Sequence, residues 1–391
     1  MLLSLALIFF CAIILSEVVQ RLKLPGLLGM LITGIVLSPY ALDLIAPEIL
    51  NLSADLRRIA LAAILIRAGL SLDIRDLKHV GRPVLLMCFI PPTIEIIATV
   101  IFAPLFFELT HLEAALIGVI LAAVSPAIIV PRMIKLMENK YGTNKSIPQL
   151  LMTATAINGV YVLVLFTSLM GMTSGNDFDF MSLAKIPIAL ITGFLLGVLC
   201  GLILVWLFEK IQIDDTVKVL IILGASFLLI SLETLLTTIP ISGLIAVVVL
   251  GSTILKKQSF LAEGLAKKYS NIWIPVEILL FVLVGATVNM TVVIRDGGAA
   301  IILIFMVLMM RFLGVLICLA KTSLNKKEKL FCGIAYLPKA TVQAAIGAIP
   351  LVAGVEAGNI ILTVAVCAIL TTAPLGALGI DALHKKMLTK Y

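Results

Sequence analysis

The sequence predicts an all-α polytopic membrane protein, a single integral membrane unit with about 13 transmembrane helices. Of its 391 residues, 61% are hydrophobic and 13% are charged, whereas a soluble domain is about half apolar and about one quarter charged. The mean hydropathy is +1.20. This composition excludes a soluble enzyme, a disordered chain and a small disulfide scaffold.

The individual helices follow from apolar runs separated by short polar segments. Most runs are close to the roughly 20 residues that cross the hydrocarbon core. The first run begins at Met1 without a basic flank, so we interpret it as a retained helix and not as a signal peptide. The predicted spans are residues 2–20, 25–42, 56–72, 83–107, 112–136, 148–172, 185–208, 216–236, 240–255, 272–293, 299–320, 328–352 and 358–381.

The basic residues predict the orientation. If the N-terminus lies outside, 22 of the 29 lysines and arginines fall on inner segments, four on outer segments and three within spans. Cytoplasmic loops carry such an excess of positive charge. We therefore expect a multi-pass protein of the cell (plasma) membrane with a cytoplasmic C-terminus, and the net charge of +7 does not indicate nucleic-acid binding.

Neither a cofactor nor a structural metal site is predicted, because the six cysteines lie in apolar runs and the three histidines lie far apart. Ser125 and Thr341 lie within spans but have no nearby base in the sequence, which argues against an intramembrane hydrolase. We therefore do not expect an enzyme.

Prolines interrupt two of the predicted spans. The span 112–136 contains Pro126 and Pro131, and the span 328–352 contains Pro338. Proline removes a backbone donor and clashes one turn back, so we predict helix breaks at these prolines, with a simple kink as the alternative.

The surroundings of the two interruptions repeat. The span before the first carries Glu95, the span before the second carries Arg311, and a plain span, 148–172 or 358–381, follows each interrupted span. The two units start on opposite sides of the membrane, so we predict an inverted repeat. Paired interrupted helices in inverted repeats are typical of secondary transporters whose site lies near the bilayer midplane.

Three charged residues fall within predicted spans away from their ends. Glu95 and Arg311 are costly at this depth, and we predict that they form a buried ion pair, whose role is either functional or confined to packing. Lys339 directly follows the breaking proline. It is either bound structurally by freed carbonyl groups or acts as a titratable cation beside the transport site.

Four segments carry a family resemblance over nearly the whole chain. Together they resemble the monovalent cation:proton antiporter superfamily, which has the sodium/hydrogen exchanger fold, and are most similar to bacterial relatives of the NHA-type sodium/hydrogen antiporters. The segments are Ile66-Arg67-Ala68-Gly69-Leu70-Ser71-Leu72-Asp73, Ala123-Val124-Ser125-Pro126 with Val130-Pro131-Arg132-Met133, Glu277-Ile278-Leu279-Leu280-Phe281-Val282-Leu283-Val284-Gly285-Ala286, and Leu337-Pro338-Lys339-Ala340-Thr341-Val342-Gln343-Ala344-Ala345.

The resemblance implies a core domain that moves against a scaffold, or dimerisation, domain in a homodimer. Its implied partners are a monovalent cation, a proton and the lipid bilayer. Glu95, Arg311 and Lys339 match the family's buried charged positions. The implied core helices are about 56–172 and 272–381, with the broken helices 112–136 and 328–352, and the scaffold helices are about 1–50 and 185–255.

The sequence departs from this family at one important place. Relatives carry two adjacent aspartates in the sixth span, where this chain has Asn158 and Gly159. Asparagine offers a carbonyl oxygen to a cation but cannot exchange a proton. The predicted transport site consists of Asn158, Gly159, Thr155, Lys339, Ser125 and Thr341.

Three functions are therefore compatible with the sequence. The first is antiport of a monovalent cation (Na⁺/Li⁺ or K⁺) against protons by alternating access, with Glu95 or Lys339 as proton carrier. The second is transport of a different, anionic solute, because the three buried charges sum to +1. The third is a transport-silent regulatory paralogue, because the aspartates are absent.

The sequence also predicts contacts at the site. We expect the side chains of Asn158, Thr155 and Lys339 to meet where the two interruptions approach each other. Because Arg311 should engage Glu95, we expect Lys339 to lack an anionic partner. Burial disfavours a charged ammonium group, so Lys339 is the candidate carrier of the exchanged proton.

Overall fold

The computed structural model describes residues 1–71, 81–173, 180–235 and 241–390. Within these ranges the regular structure is helical, apart from one isolated bridge between Tyr141 and Lys390. Nine helical stretches in the described ranges are long and apolar enough to cross a membrane. The prediction of an all-α polytopic membrane protein is confirmed.

The helices are numbered in chain order over the described residues. The first eight are α1 Leu2–Arg21, α2 Leu27–Leu37, α3 Pro47–Asn51, α4 Ser53–Ser71, α5 Arg82–Phe102, α6 His111–Ala122, α7 Pro126–Glu138 and α8 Ile147–Met172. The others are α9 Phe180–Lys210, α10 Asp215–Leu235, α11 Gly243–Lys257, α12 Ser259–Ala286, α13 Met290–Cys318, α14 Lys326–Ala335, α15 Thr341–Ile346, α16 Ile349–Val352 and α17 Gly358–Met387.

The chain forms two compact units. The described part of the first unit is residues 1–54, 81–162 and 278–390. The described part of the second unit is residues 55–71, 163–173, 180–235 and 241–277. The division into a moving core and a scaffold concerns motion and stays a prediction, as does the inverted repeat.

Within the first unit, small residues at two helix crossings place the charged residues. A Cβ atom on Gly118 of α6 would lie 3.1 Å from the Ile96 Cα of α5, and one on Gly314 of α13 would lie 3.0 Å from the Pro91 Cα of α5. Glycine allows such close approach of backbones inside membranes. Because Glu95 lies one turn after Pro91, α5 holds its carboxylate against α13.

Within the second unit, glycines play the same part. Gly69 of α4 packs on α11, where an added Cβ would lie 2.3 Å from the Val248 carbonyl oxygen. Ser252 Oγ of α11 donates a hydrogen bond to the Gly69 carbonyl at 3.2 Å. Gly197 of α9 packs equally closely on Ala246. The second unit is therefore built on close backbone contacts.

Two predictions about individual helices were wrong. Pro131 is not a helix break, because α7 continues through it from Pro126 to Glu138. Pro131 is the sixth residue of α7 and removes a single intrahelical donor, the one that would bind the Ala127 carbonyl four residues earlier, and the helix tolerates this one loss. The predicted span at 272–293 does not match one helix, because α12 begins earlier, at Ser259, and ends at Ala286, and residues 290–293 already belong to α13. Ala262 and Leu265 are buried, and their packing extends the helix past the predicted membrane boundary.

Some predictions concern residues outside the described ranges. They are the last two positions of the first resemblance segment, Leu72 and Asp73, two inner basic residues, Arg75 and Lys78, and the boundary residues of two predicted spans, Leu236 and Pro240.

Candidate transport site

The first interruption lies between α6, which ends at Ala122, and α7, which begins at Pro126. Proline suits the first position of a helix, because its missing donor is not needed there. Its position also requires the preceding residues to leave the helical conformation, and Ser125 is extended. The carbonyl groups of residues 120–123 then lie at the end of α6 with no following turn to bind them.

Side chains bind each of these four carbonyl groups. The donors are Gln343 Nε2 to Ile120 (2.8 Å) and Ala123 (2.9 Å), Lys339 Nζ to Leu121, and Arg311 Nη1 to Ala122 (2.8 Å). Two of these donors are cations, and a helix C-terminus carries partial negative charge. The end of α6 is therefore a cation-binding surface that the protein's own side chains occupy.

The amide groups of the first interruption are also paired. Val124 N–H donates to Asn158 Oδ1 of α8 at 2.9 Å, and Ser125 N–H donates to the Pro338 carbonyl at 2.9 Å. The second bond joins the two interruptions directly. Asn158 therefore acts as a cap for the first interruption, which fixes α8 beside it.

The second interruption lies between α14, which ends at Ala335, and α15, which begins at Thr341. Lys339 N–H donates to Thr372 Oγ1 of α17 at 2.9 Å. Gly376, one turn later on α17, lies so close to Pro338 that an added Cβ would be 2.1 Å from its Cγ. Helix α17 therefore holds the second interruption in place.

Three buried charges meet between the interruptions. Glu95 Oε2 accepts a hydrogen bond from Arg311 Nη1, and Glu95 Oε1 lies 2.8 Å from Lys339 Nζ. All three side chains are fully buried. The predicted contact of Glu95 with Arg311 is present, but the expectation that Lys339 lacks an anionic partner was wrong. A carboxylate has two oxygens with about four acceptor sites, so Glu95 serves both cations.

Tyr336 is a further buried residue of the site. It contacts Arg311, and the sequence does not predict it as a site residue. Its carbonyl accepts from Arg311 Nε at 3.0 Å, and its ring lies 4.9 Å from the guanidinium carbon. Its hydroxyl oxygen lies 3.1 Å from the carbonyl oxygens of both Met87 and Ala154, which share its one proton. The one signal in the sequence is that this tyrosine lies two residues before the helix-breaking proline. A tyrosine hydroxyl buried at such a place needs hydrogen-bond partners.

The other predicted site residues lie around the same place. Thr155 and Asn158 share one face of α8, since they are three positions apart. The hydroxyls of Ser125, Thr155 and Thr341 are buried and have no hydrogen-bond partner among the described residues. Gly159 is buried, yet a Cβ there would have no atom within 4 Å. The structure thus brings Asn158 and Lys339 together on the first interruption, while Thr155 makes no direct bond to either.

Two interrupted helices that meet at a buried charge cluster define a class of membrane transporter folds. A solved structure supports this class: the sodium proton antiporter MjNhaP1 from Methanocaldococcus jannaschii at pH 8 has a TM-score of 0.82 over 98% of this chain and 97% of its own. Because the sequence identity is only 19%, this likeness shows a shared fold and nothing further.

The chain belongs to the sodium/hydrogen exchanger family, whose transmembrane-region model matches residues 5–386. Sodium/hydrogen exchanger 9B1 from Homo sapiens is 32% identical over 99% of this chain and 78% of its own length. Sodium/hydrogen exchanger 9B2 from Mus musculus is 29% identical over 98% of this chain and 73% of its own. The resemblance predicted from the motifs is confirmed.

Proposed function

We propose that this protein is a secondary active transporter that exchanges a monovalent cation for protons by alternating access. The observation that carries the proposal is the position of Lys339 Nζ, which touches the Leu121 carbonyl and lies 2.8 Å from Glu95 Oε1. Backbone carbonyl oxygens at a broken helix are also groups that bind Na⁺ in transporters with interrupted helices, and a carboxylate oxygen attracts a cation by its charge. An ammonium group and a transported cation would therefore compete for the same oxygens.

This competition amounts to antiport. While Lys339 is protonated, it occupies the oxygens at the end of α6. A cation that enters can replace it only when the lysine has lost its proton, because two positive charges at one buried place repel. Lys339 then carries the proton that the aspartates of relatives carry. Proton exchange therefore does not require a carboxylate at the positions of Asn158 and Gly159.

We also propose the finer assignments that the family resemblance implies. The protein is a homodimer in the cell membrane, with its N-terminus outside and its C-terminus in the cytoplasm, in accord with the distribution of basic residues. Helices at about 56–172 and 272–381 form the moving core, and helices at about 1–50 and 185–255 form the scaffold.

The test is transport by purified protein in liposomes. Proton movement is followed with an internal pH dye, and charge movement on a solid-supported membrane, with Na⁺, Li⁺, K⁺ and several anions in turn. We expect cation-driven proton movement in the wild type. Lys339→Gln should lose it, and so should Lys339→Arg, because arginine keeps the charge but does not release a proton.

The controls are protein-free liposomes and Lys327→Gln, a change of an exposed lysine. Coupled flux at the wild-type level in Lys339→Gln would exclude the lysine as proton carrier. Currents driven by anions alone would favour the anionic substrate. Absence of any flux in the wild type, restored by Asn158→Asp with Gly159→Asp, would identify a transport-silent paralogue.

A further inference from the structure

Gln343 is a neutral side chain that donates two hydrogen bonds to the end of α6. Asn158 Nδ2 adds a longer one to the Ala122 carbonyl, at 3.4 Å. Gln343 lies in the fourth resemblance segment but is not among the predicted site residues. It lies on α15 and is 1% exposed. Its Nε2 group donates to the carbonyls of Ile120 and Ala123 at 2.8 and 2.9 Å. The carboxamide therefore reaches from one interrupted helix to the other.

These two bonds fix the orientation of the carboxamide. With the nitrogen and oxygen exchanged, Oε1 would face the Ile120 and Ala123 carbonyl oxygens, and no donor would lie between them. Both hydrogens of Nε2 are used, so the group cannot turn without losing both bonds. The direction of Oε1 is consequently determined by the end of α6.

The Oε1 atom itself is buried and accepts no hydrogen bond from the described part of the chain. An unpaired buried acceptor is destabilising, and an amide oxygen, unlike a hydroxyl, cannot act as a donor instead. Such an atom calls for an explanation by a water molecule or an ion. Because its amide is held rigidly, Oε1 cannot be relieved by rotation.

The position of the carboxamide at the end of α6 suggests the ligand of its oxygen. Gln343 binds the carbonyls of Ile120 and Ala123, and between them in sequence lies Leu121, whose carbonyl binds Lys339. The carboxamide and the ammonium group thus bind neighbouring positions on one helix end. Neutral amide and carbonyl oxygens are established ligands of Na⁺ and K⁺ in membrane proteins.

We propose that Gln343 Oε1 is a direct ligand of the transported monovalent cation, together with the Leu121 carbonyl and the Glu95 carboxylate that Lys339 releases. The proposal rests on the proposed function, since it assumes a transported cation. It assigns to Gln343 part of the coordination that the absent carboxylates at 158 and 159 would supply. The expected substrate class is a dehydrated monovalent cation held mostly by neutral oxygens.

The experiment measures cation binding and transport separately. Binding is the rise in apparent melting temperature of purified protein in Na⁺, Li⁺ or K⁺ chloride relative to choline chloride at equal ionic strength. Transport is the KM and kcat for the cation in liposomes. The variants are Gln343→Leu, which removes the oxygen at similar volume, and Gln343→Glu, which keeps an oxygen. The matched control is Gln149→Leu, because Gln149 of α8 also has an unpaired Oε1.

We expect Gln343→Leu to raise the half-saturating cation concentration and the KM by about tenfold or more, as loss of one contact to a charged group predicts. The fall in kcat should be smaller. Gln343→Glu should keep cation binding and change its pH dependence, because a second titrating group is added to Lys339, whose deprotonation already makes wild-type binding depend on pH. Gln149→Leu should stay within about twofold of the wild type, because Gln149 lies nine residues, roughly 14 Å along α8, before Asn158.

The outcomes separate this inference from the proposed function. If Gln343→Leu keeps the wild-type cation dependence, Oε1 binds only water and the inference is overturned. A purely structural role would lower the melting temperature in choline without moving the half-saturating concentration, which also overturns it. If the wild type shows no flux but binds cations, and Gln343→Leu loses this binding, the antiport function fails while the ligand assignment stands. If Gln343→Leu does not fold, cation binding is measured with Gln343→Glu and Gln343→Met instead. A wild-type cation dependence in Gln343→Met, which lacks the oxygen, overturns the inference, and a raised half-saturating concentration supports it.

Discussion

The first interruption, at residues 123–125, contributes mainly backbone groups to the site, whereas the second, at residues 336–340, contributes side chains. Four carbonyls around the first are bound by side chains from elsewhere, and two of its amides are capped. The second supplies Lys339 and leads directly into Gln343. Two similar proline breaks therefore have different roles. The first offers carbonyl oxygens that bind positive charge, and the second carries the Lys339 ammonium group that binds there.

Removing Arg311 should break this arrangement most severely. Arg311→Ala removes the guanidinium donors of the Ala122 and Tyr336 carbonyls and takes one cation from Glu95. Loss of one member of a buried ion pair costs about 3–5 kcal/mol, so the apparent melting temperature in detergent should fall sharply. Arg132→Ala, which removes a partly exposed pair with Asp381, should cost at most about 1 kcal/mol.

Neutral variants sharpen the same prediction. Because Lys339 also depends on Glu95, Glu95→Gln with Arg311→Gln leaves an uncompensated lysine. Adding Lys339→Gln should therefore recover more stability than the double variant alone. Equal melting temperatures for the double and triple variants would contradict the three-charge cluster.

Asn158 caps the backbone of the first interruption. Asn158→Ala leaves the buried Val124 N–H without an acceptor, which costs up to about 3 kcal/mol. Thermal unfolding of the purified variant measures the loss. Asn139→Ala is the control, since Asn139 caps an exposed carbonyl at 2.7 Å, and its effect should be well below that of Asn158→Ala. If the two variants unfold alike, the first interruption does not need its cap.

The smallest effect is expected from two glycines. Gly376→Ala places a Cβ 2.1 Å from Pro338 Cγ, and such overpacking should cost about 1–2 kcal/mol. Gly159→Ala places a Cβ where no atom lies within 4 Å, so it should be neutral or stabilise the helix by up to about 1 kcal/mol. Melting temperatures of the two variants should move in opposite directions or differ clearly. Similar losses in both would show that Gly159 is packed as tightly as Gly376.

Much of the fold could be predicted because the bilayer restricts the choices. Long apolar runs must form helices, since unsatisfied backbone groups are too costly in lipid, and Pro126 and Pro338 mark where two of them stop. Pro131 shows the limit of this reasoning, because α7 continues through it. A proline lacks a backbone N–H and so leaves the carbonyl four residues earlier without its donor. Whether the helix ends there depends on the other groups that bind the backbone around it.

The sequence by itself determined which residues carry charge inside the membrane, and so identified Glu95, Arg311 and Lys339. The cost of a buried charge is a property of each residue and needs no partner to be recognised. The tertiary structure alone decided that one carboxylate serves both cations and that Gln343 and Tyr336 complete the site. These contacts join residues more than 200 positions apart or bind bare backbone carbonyls, and a carbonyl group is present at every residue, so no sequence pattern distinguishes the ones that are used.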